Sequence, residues 1–434
     1  MVRMGERRVD VLVVGGGPAG AATGYWLAEA GHDVLVVEKK TFPREKTCGD
    51  GLTPRAVKQL ADMGLEDAIA RDHHRYDGLR AVAHGITLEM RWPEHPIYPS
   101  HGYVVRRRDL DRMVAEHAVK AGATVWQGAE AVGPVLERGL VAGAVVKVKE
   151  PGVEGGGPRS DDVIEEVRAR YVVVADGANS RFGRALGTAR DRTYPQGMAI
   201  RGYYESPLHD DPWIESALDV RDRQGASLPG YGWIFPVGDG TVNVGIGLLS
   251  TFRDWKSVNT SHLMDEWAHT APEYWGLSEA TKIGEPTGGR LPMAGSVGPK
   301  SGPTFLVVGD ASGAINPFNG EGIDYAYETG RLAADVLDEA LTTGSGLALQ
   351  RYEQTLDAEF ALYYKVARLF VQLIGRPALM RELTRIGMHS RSLMEWALAI
   401  MANLLRPDEL GPAEAAYKAI AALVRYAPEP RVAG

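Results

Sequence analysis

The chain has 434 residues, with 44% apolar and 24% charged side chains and a formal net charge of −8. That mix excludes wholesale disorder, its acidic balance argues against a nucleic-acid binder, and the length allows roughly two to three domains that need no disulfide or metal staple. The one cysteine, Cys48, rules out a disulfide framework and a Cys-rich zinc site, so no metal is expected and the compartment is expected to be reducing.

Val9 to Val14 reads as a short buried strand, followed by a glycine turn, a helix over Ala19 to Ala30 and a second strand over Val34 to Val37. This opens a doubly wound βαβ unit. Helices follow over Pro54 to Met63 and Asp109 to Ala121, then a strand over Thr124 to Gln127. Val141 to Val174 reads as strands joined by a Gly-rich, acidic tip at Pro151 to Asp162. From 191 to 284 aromatics and alternation dominate, with turn signals at Gly225 and Asp239-Gly240, as in an antiparallel sheet. The strand Phe305 to Val308 and a long helix from Ile323 to Leu341 return to the first pattern. Residues 346–430 are almost entirely helical in pattern. No run reaches the ~18 apolar residues of a membrane span. The charged start lacks a signal-peptide core. The expected location is cytoplasmic, in solution or at a membrane surface.

Gly15-Gly16-Gly17-Pro18-Ala19-Gly20 fits G-x-G-x-x-G between a strand and a helix, and Gly24 extends it by a turn. Gly15 permits the tight turn, Gly17 lets backbone approach a pyrophosphate, and Gly20 and Gly24 let the helix pack on the sheet. The helix N-terminus, with Pro18 and Ala19, offers unpaired N–H groups to phosphate. Glu38, followed by Lys39, ends the second strand where a carboxylate accepts ribose hydroxyls. The alternative is a structural glycine turn.

Three further segments bear on the cofactor: Arg107-Arg108-Asp109-Leu110-Asp111 opening a helix, Asp176-Gly177 after the strand Tyr171 to Ala175, and Gly309-Asp310 after Phe305 to Val308. Each also arises for purely structural reasons. Together and in this order they resemble the flavoprotein hydroxylase superfamily, which implies FAD, with Arg107, Asp176 and Asp310 as contacts. The loop Asn316-Pro317-Phe318-Asn319-Gly320-Glu321-Gly322-Ile323 enters a helix. In that resemblance Gly320, Gly322 and Ile323 lie by the flavin pyrimidine ring, where the helix dipole favours negative charge on reduced flavin.

Two segments select the chemistry. Lys46-Thr47-Cys48-Gly49-Asp50-Gly51-Leu52 holds the lone thiol in a Gly-rich loop, which on its own reads equally as an inert free thiol. Pro229-Gly230-Tyr231-Gly232-Trp233-Ile234-Phe235-Pro236 places Tyr231, Trp233 and Phe235 on one strand face, either as a core stripe or as the wall of an apolar slot. Gly245 and Gly247 on the next strand leave room beside them. These segments resemble the geranylgeranyl reductase family. That resemblance implies a lipid wall of Tyr231, Trp233, Phe235 and Pro236, and a loop of Cys48, Gly49, Asp50 and Gly51 beside the flavin.

Archaeal and plant branches usually continue Cys-Gly-Gly. The Cys48-Gly49-Asp50-Gly51 variant, with the segments Leu228 to Pro236 and Asn316 to Tyr325, resembles the actinobacterial menaquinone reductases, which saturate one isoprene unit of the quinone tail. The implied fold is an α/β, doubly wound FAD-binding domain (1–77, 105–190, 285–345), an antiparallel-sheet prenyl-lipid domain (78–104, 191–284) and a helical C-terminal region (346–434). The implied reaction is hydride transfer from reduced FAD plus a proton, with Cys48 placing or supplying the proton or only orienting the flavin or substrate. The alternatives are a flavin monooxygenase or halogenase, and a non-catalytic flavin-containing prenyl-lipid binder. No second dinucleotide fingerprint occurs, leaving the electron donor open between transiently bound NAD(P)H and a protein.

Across 360–406 the bases Lys365, Arg368, Arg376, Arg381, Arg385, Arg391 and Arg406 outnumber the acids Glu382 and Glu395. Lys365, Arg368 and Gln372 form a polar stripe on an apolar helix. This fits either peripheral contact with an anionic surface, on the inner face of the cell membrane, or a helical cap over the substrate domain.

Overall fold

The computed structural model describes residues 6–149, 163–221, 230–251, 255–406, 409 and 411–427. The expected tip at 151–162, Gly225 and Pro229 lie outside these residues.

Near-continuous apolar runs form a mostly parallel sheet buried on both faces, as such runs must. Its order is Ser301–Gly302, Phe305–Val307, Val163–Val174, Glu6–Val14, Val34–Glu38, Thr124–Gln127. The 12-residue Val163–Val174 strand is long enough to serve two partners on one edge. Its first half pairs antiparallel with Leu140–Val148, and its end pairs parallel with Phe305–Val307. The helices Pro18–Glu29, Arg107–Lys120 and Ile323–Thr343 are mutually linked by contacts of the first with both others, and they share one core cluster under the sheet. Strand C-termini at Val14, Glu38, Val174 and Val307 all run to one end, where the glycine turns follow.

The second sheet has seven strands: Lys282–Pro292, Gln196–Glu205, Thr241–Leu249, Tyr231–Pro236, Trp213–Ala217, Gly78–Ala83, Ile86–Arg91. All its pairs are antiparallel except Trp213–Ala217 with Gly78–Ala83, which is parallel because two distant chain segments meet there. The expected return at 285 falls inside the Lys282–Pro292 strand. That strand stays paired to Gln196–Tyr204 through Pro292, so the crossing comes after it. One face of this sheet is covered by the helix Thr260–Thr270, whose Trp267 fills the space a side chain at 232 would need. The opposite face carries Tyr231, Trp233 and Phe235 toward the first domain.

The C-terminal region is a run of helices ending in Leu362–Ile374, Pro377–Met388, Arg391–Met401 and Pro412–Arg425. It is a cap. Tyr363 and Tyr364 stack into an aromatic cluster with Phe318, Tyr325 and Phe360. The expected polar stripe turns inward rather than to a surface. The Arg368 guanidinium lies 4.3 Å from the Tyr194 ring centre, and Lys365 Nζ donates to the carbonyls of Arg425 and Ala427. Among the described residues no helix is long and apolar enough to cross a membrane.

Candidate active site

The two domains and the cap enclose one cavity of about 1260 Å³. It runs from Gly15, Gly17 and Glu38, past Cys48 and Tyr231, to Trp92, Met394 and Leu398. A drug-sized ligand needs roughly 300–1,000 Å³, so the volume admits a dinucleotide together with an apolar chain.

At the first end the glycines divide by what they face. A Cβ at Gly20 would stand 1.9 Å from the Gly15 carbonyl oxygen, and one at Gly24 would stand 2.8 Å from Val36. These two are required by the chain's own packing. A Cβ at Gly17 would meet only Arg44 Nη2 at 3.6 Å, so Gly17 faces open cavity. No side chain caps the Pro18–Glu29 helix and its first turn holds no acid, leaving its amides for an anionic group. Asp176 uses Oδ2 to accept the Phe182 amide at 3.0 Å, while its buried Oδ1 has no protein partner. An open anion cradle and an orphaned carboxylate oxygen fit a phosphate- and hydroxyl-bearing cofactor.

Glu38 is more engaged than its sequence position implied. It accepts the amides of Gly16 and Lys40, both at 3.0 Å, and Arg44 Nη2 at 3.3 Å. Arg44 in turn meets Asp111 at 2.9 Å, and Asp111 takes a bidentate pair from Arg107 at 2.8 and 2.9 Å. The alternation Glu38–Arg44–Asp111–Arg107 cancels charge inside a dry wall, which holds the wall's shape. Arg107 is therefore committed to Asp111, though it also faces the Cys48 thiol. Asp310 is half-buried, with Lys46 Nζ at 4.0 Å. Gly309, at φ +57°, packs on Ala19, where a Cβ would be 2.8 Å away.

Mid-cavity, two loops grip the aromatic wall. Gly49 and Gly51 lie flat against it: a Cβ on either would stand 3.1 Å from Phe235. Asp50 is fully buried and adopts φ +65°, a left-handed conformation that favours glycine. Its Oδ2 accepts the Tyr203 hydroxyl and Asn243 Nδ2 (2.8 Å), and its Oδ1 accepts the Arg107 amide at 3.2 Å. Guanidinium groups of Arg106 and Arg201 lie 4.4 and 4.5 Å from the Tyr203 ring centre. Asn243 also donates to the Cys48 carbonyl at 2.9 Å and accepts Trp233 Nε1 at 3.0 Å. Burial pushes the Cys48 thiol up, against the pull of Arg107. Burial likewise raises the Asp50 carboxyl, against its hydrogen bonds from Tyr203 and Asn243.

At the other end of the wall, Tyr231 donates its hydroxyl to the Asn319 carbonyl at 2.5 Å. A Cβ at Gly320 (φ +80°) would stand 3.3 Å from that hydroxyl. Asn316 ties this loop to the cap through Tyr363 and the Met401 carbonyl. Gly322 is the N-cap residue of the Ile323–Thr343 helix, which has no side-chain cap. The room expected beside Gly245 and Gly247 is not left for a ligand. The wall's own rings fill it: a Cβ at 245 would stand 2.1 Å from Trp233, and one at 247 would stand 3.0 Å from Tyr231. The slot lies on the far side of the rings, between them and Leu291, Met394 and Leu398.

Cys48, Asp50, Tyr231, Trp233, Phe235, Asp176, Asp310, Gly320 and Ile323 all line this one cavity. Asn243, Tyr203, Arg44 and the buried acids after Gly320 were missed. A lone polar residue inside the apolar run Val242 to Ile246 was the available signal for Asn243.

A dinucleotide cradle at the C-terminal edge of a mostly parallel sheet, opening into an apolar slot, defines an FAD-dependent flavoprotein. The FAD binding domain family matches residues 8–229. Menaquinone reductase of Mycobacterium tuberculosis is 40% identical over 92% of both chains. Digeranylgeranylglycerophospholipid reductase 1 of Methanopyrus kandleri is 32% identical over 84% of this chain and 90% of its own. The solved structure of a geranylgeranyl bacteriochlorophyll reductase-like protein from Thermoplasma acidophilum superposes with a TM-score of 0.76 at 25% identity, covering 96% of this chain and all of that one. The chain belongs to the geranylgeranyl reductase family of FAD-dependent oxidoreductases. It is an enzyme acting on prenyl chains.

Proposed function

We propose that the enzyme saturates one isoprene double bond in the side chain of menaquinone. The single cavity joining the dinucleotide cradle to an aromatic-walled slot carries this reading, and the likeness to the mycobacterial reductase supports the quinone as substrate.

Gly15, Gly17, Pro18 and Ala19 hold the pyrophosphate, with Gly20 packed on the Gly15 carbonyl behind them, and Glu38 with Lys39 meets the ribose. Arg107, Asp176 with Gly177, and Gly309-Asp310 contact the remainder of FAD. Cys48 to Gly51 and Gly320 to Ile323 flank the ring system. FAD, once reduced, supplies a hydride. Tyr231, Trp233 and Phe235 hold the tail against the wall and keep water out, while Pro236 ends their strand on its other face and does not line the cavity. An isolated alkene has no carbonyl to stabilise a carbanion, so a proton must accompany or precede the hydride. Cys48, beside the site of the ring system, orients the flavin.

The tail reaches the cavity from an anionic membrane surface. Leu383 and Leu393 line the cavity yet are 42% and 41% exposed. Arg376, Arg381, Arg385 and Arg391 stand on the same two helices or at their starts. Basic residues around an apolar face suit an anionic bilayer.

The test is mass spectrometry of menaquinone after anaerobic incubation with reduced holoenzyme. A gain of two hydrogens in the tail is expected; an unaltered tail refutes the proposal. Cys48→Ala and Cys48→Ser, assayed in the same way, remove Cys48 from the chemistry if both run at the wild-type rate.

A further inference from the structure

The reaction needs an acid, and the cavity holds a better one than the thiol. Glu321, Asp324 and Glu328 recur at intervals of three and four residues, so they stand on one face of the Ile323–Thr343 helix and its lead-in. Glu321 and Asp324 both line the cavity. Glu321 adjoins Gly320, which abuts Tyr231 at one end of the aromatic wall. Its Oε2 accepts Asn319 Nδ2 at 2.8 Å, and the Thr53 hydroxyl lies against its carboxyl. Asp324 is 1% exposed and neither of its oxygens accepts a hydrogen bond. The nearest cation, Arg55 Nε, is 3.8 Å away. Arg55 is already spent on a bidentate pair with Glu328, at 2.7 Å to each oxygen. Three carboxyl groups thus face one guanidinium in a dry core. Full ionisation would leave two uncompensated buried charges, so the cluster keeps protons.

We propose that the Glu321 carboxyl, crowded with Asp324 and Glu328 around the one Arg55 guanidinium, is the acid that protonates the alkene, on the reading that a prenyl double bond is the group reduced. The Glu321 O–H bond breaks and its proton forms a C–H bond at one alkene carbon. The hydride supplied by reduced FAD forms the other, so the alkene gains the two electrons that FAD loses. Glu321 is left as a carboxylate and takes a proton from water when the product leaves.

Burial decides between this acid and Cys48. It raises a thiol that is already weakly acidic, and it raises a carboxyl from well below neutrality toward it. General acids work best near the operating pH. Glu321 then serves as the acid, and Cys48 orients the flavin.

The test uses holoenzyme reduced anaerobically and mixed with menaquinone. Flavin reoxidation and tail mass are followed through one turnover in H2O and D2O. Glu321→Gln keeps the Asn319 contact but has no proton to give. It should bind FAD as wild type does and slow the turnover by about 10²–10⁴-fold, the range for general acid catalysis. Glu321→Asp should recover part of that loss. The wild-type rate should fall as pH rises and the acid form is lost. Arg55, Glu328, Asp324, Tyr76, Tyr231 and Tyr363 are the titratable or charged groups facing Glu321.

A second readout needs no substrate. Infrared spectra at neutral pH should show protonated carboxyl C=O bands that shift in D2O, one of which is lost in Glu321→Gln. Wild-type turnover by Glu321→Gln, or a wild-type spectrum without that band, overturns the proposal. A wild-type enzyme that leaves the tail unaltered while showing the band refutes the quinone reading instead.

Discussion

Asn243 is fully buried and spends every hydrogen-bonding group of its amide on the site. Its Nδ2 bridges the Cys48 carbonyl and Asp50, and its Oδ1 takes Trp233 Nε1. Asn243→Ala orphans the indole N–H and the Cys48 carbonyl and removes one donor from Asp50. An orphaned buried group costs roughly 1–3 kcal/mol, so the first two cost about 2–6. Water entering the vacated space offsets part of that, leaving about 2–4 kcal/mol. With an unfolding entropy of about 2.1 cal/mol/K per residue, a chain of this length should lose roughly 2–4 °C in Tm. Flavin fluorescence during a thermal ramp measures the loss, with FAD held at the same excess for both proteins. Catalysis should suffer more than stability, because the Cys48 loop and Trp233 lose their common anchor while the pyrophosphate cradle is untouched. Asn243→Asp should be worse than Ala at neutral pH despite its matched shape, because it sets a carboxylate against Asp50. A Tm within about 1 °C of wild type, with unchanged turnover, would falsify the claim that Asn243 organises the site.

The acid cluster predicts an unusual pH dependence. Burial, together with neighbouring carboxyl groups, holds Asp324 well above its ordinary value, and burial raises Glu321 and Glu328 as well. The folded chain therefore keeps protons that the unfolded chain releases. That stabilisation is full below the unfolded carboxyl range and is lost as pH rises through the raised folded values. Asp324→Asn stays neutral without a proton, so in urea melts its stability relative to wild type should climb as pH rises above the unfolded carboxyl range; a constant difference refutes this.

Asp50→Gly should relieve about 1–2 kcal/mol of left-handed strain. It also strips the Tyr203 hydroxyl, Asn243 and the Arg107 amide of a charged acceptor, at roughly 1.5–3 kcal/mol per bond. The variant should unfold at lower urea, and one at least as stable as wild type would show that backbone relief wins. Arg381→Glu with Arg385→Glu should abolish flotation with anionic vesicles at low salt; undiminished flotation removes these helices from the contact.

Features carried by local pattern were legible in the sequence. The strand–turn–helix of Val9 to Ala30 is set by apolar runs and by glycines that sterics demand, and the structure places these elements within a residue or a few of the expected bounds. The alternation that aims Tyr231, Trp233 and Phe235 at one face needs only strand geometry. Less legible was what lies across from a residue. Nothing near Glu38 in sequence announces that Arg44 and Asp111 link it to Arg107. Nothing near Arg368 announces that Tyr194, from a distant segment, draws it inward. Small side chains at Gly245 and Gly247 were read as vacant space, yet the adjacent strand's rings lie over them. A glycine records that something comes close and does not say whether it is ligand or protein.

The same ambiguity shows why two loops so far apart in sequence act on one substrate. The Cys48–Gly51 loop reaches Phe235 and Trp233 through bare glycine faces, and the Asn319–Gly320 turn reaches Tyr231 by a hydroxyl bond. Each loop is too irregular to hold its shape alone. Each is fixed to the same strand and to a second element: Asn243 for the first, and the cap, through Asn316 and Met401, for the second. Strand spacing thus sets the separation of the thiol from Glu321, about 3.3 Å per residue along Tyr231–Pro236. An apolar chain lying along that strand meets both ends at once. Lengthening the strand would separate thiol and acid before it disturbed either loop's own hydrogen bonds.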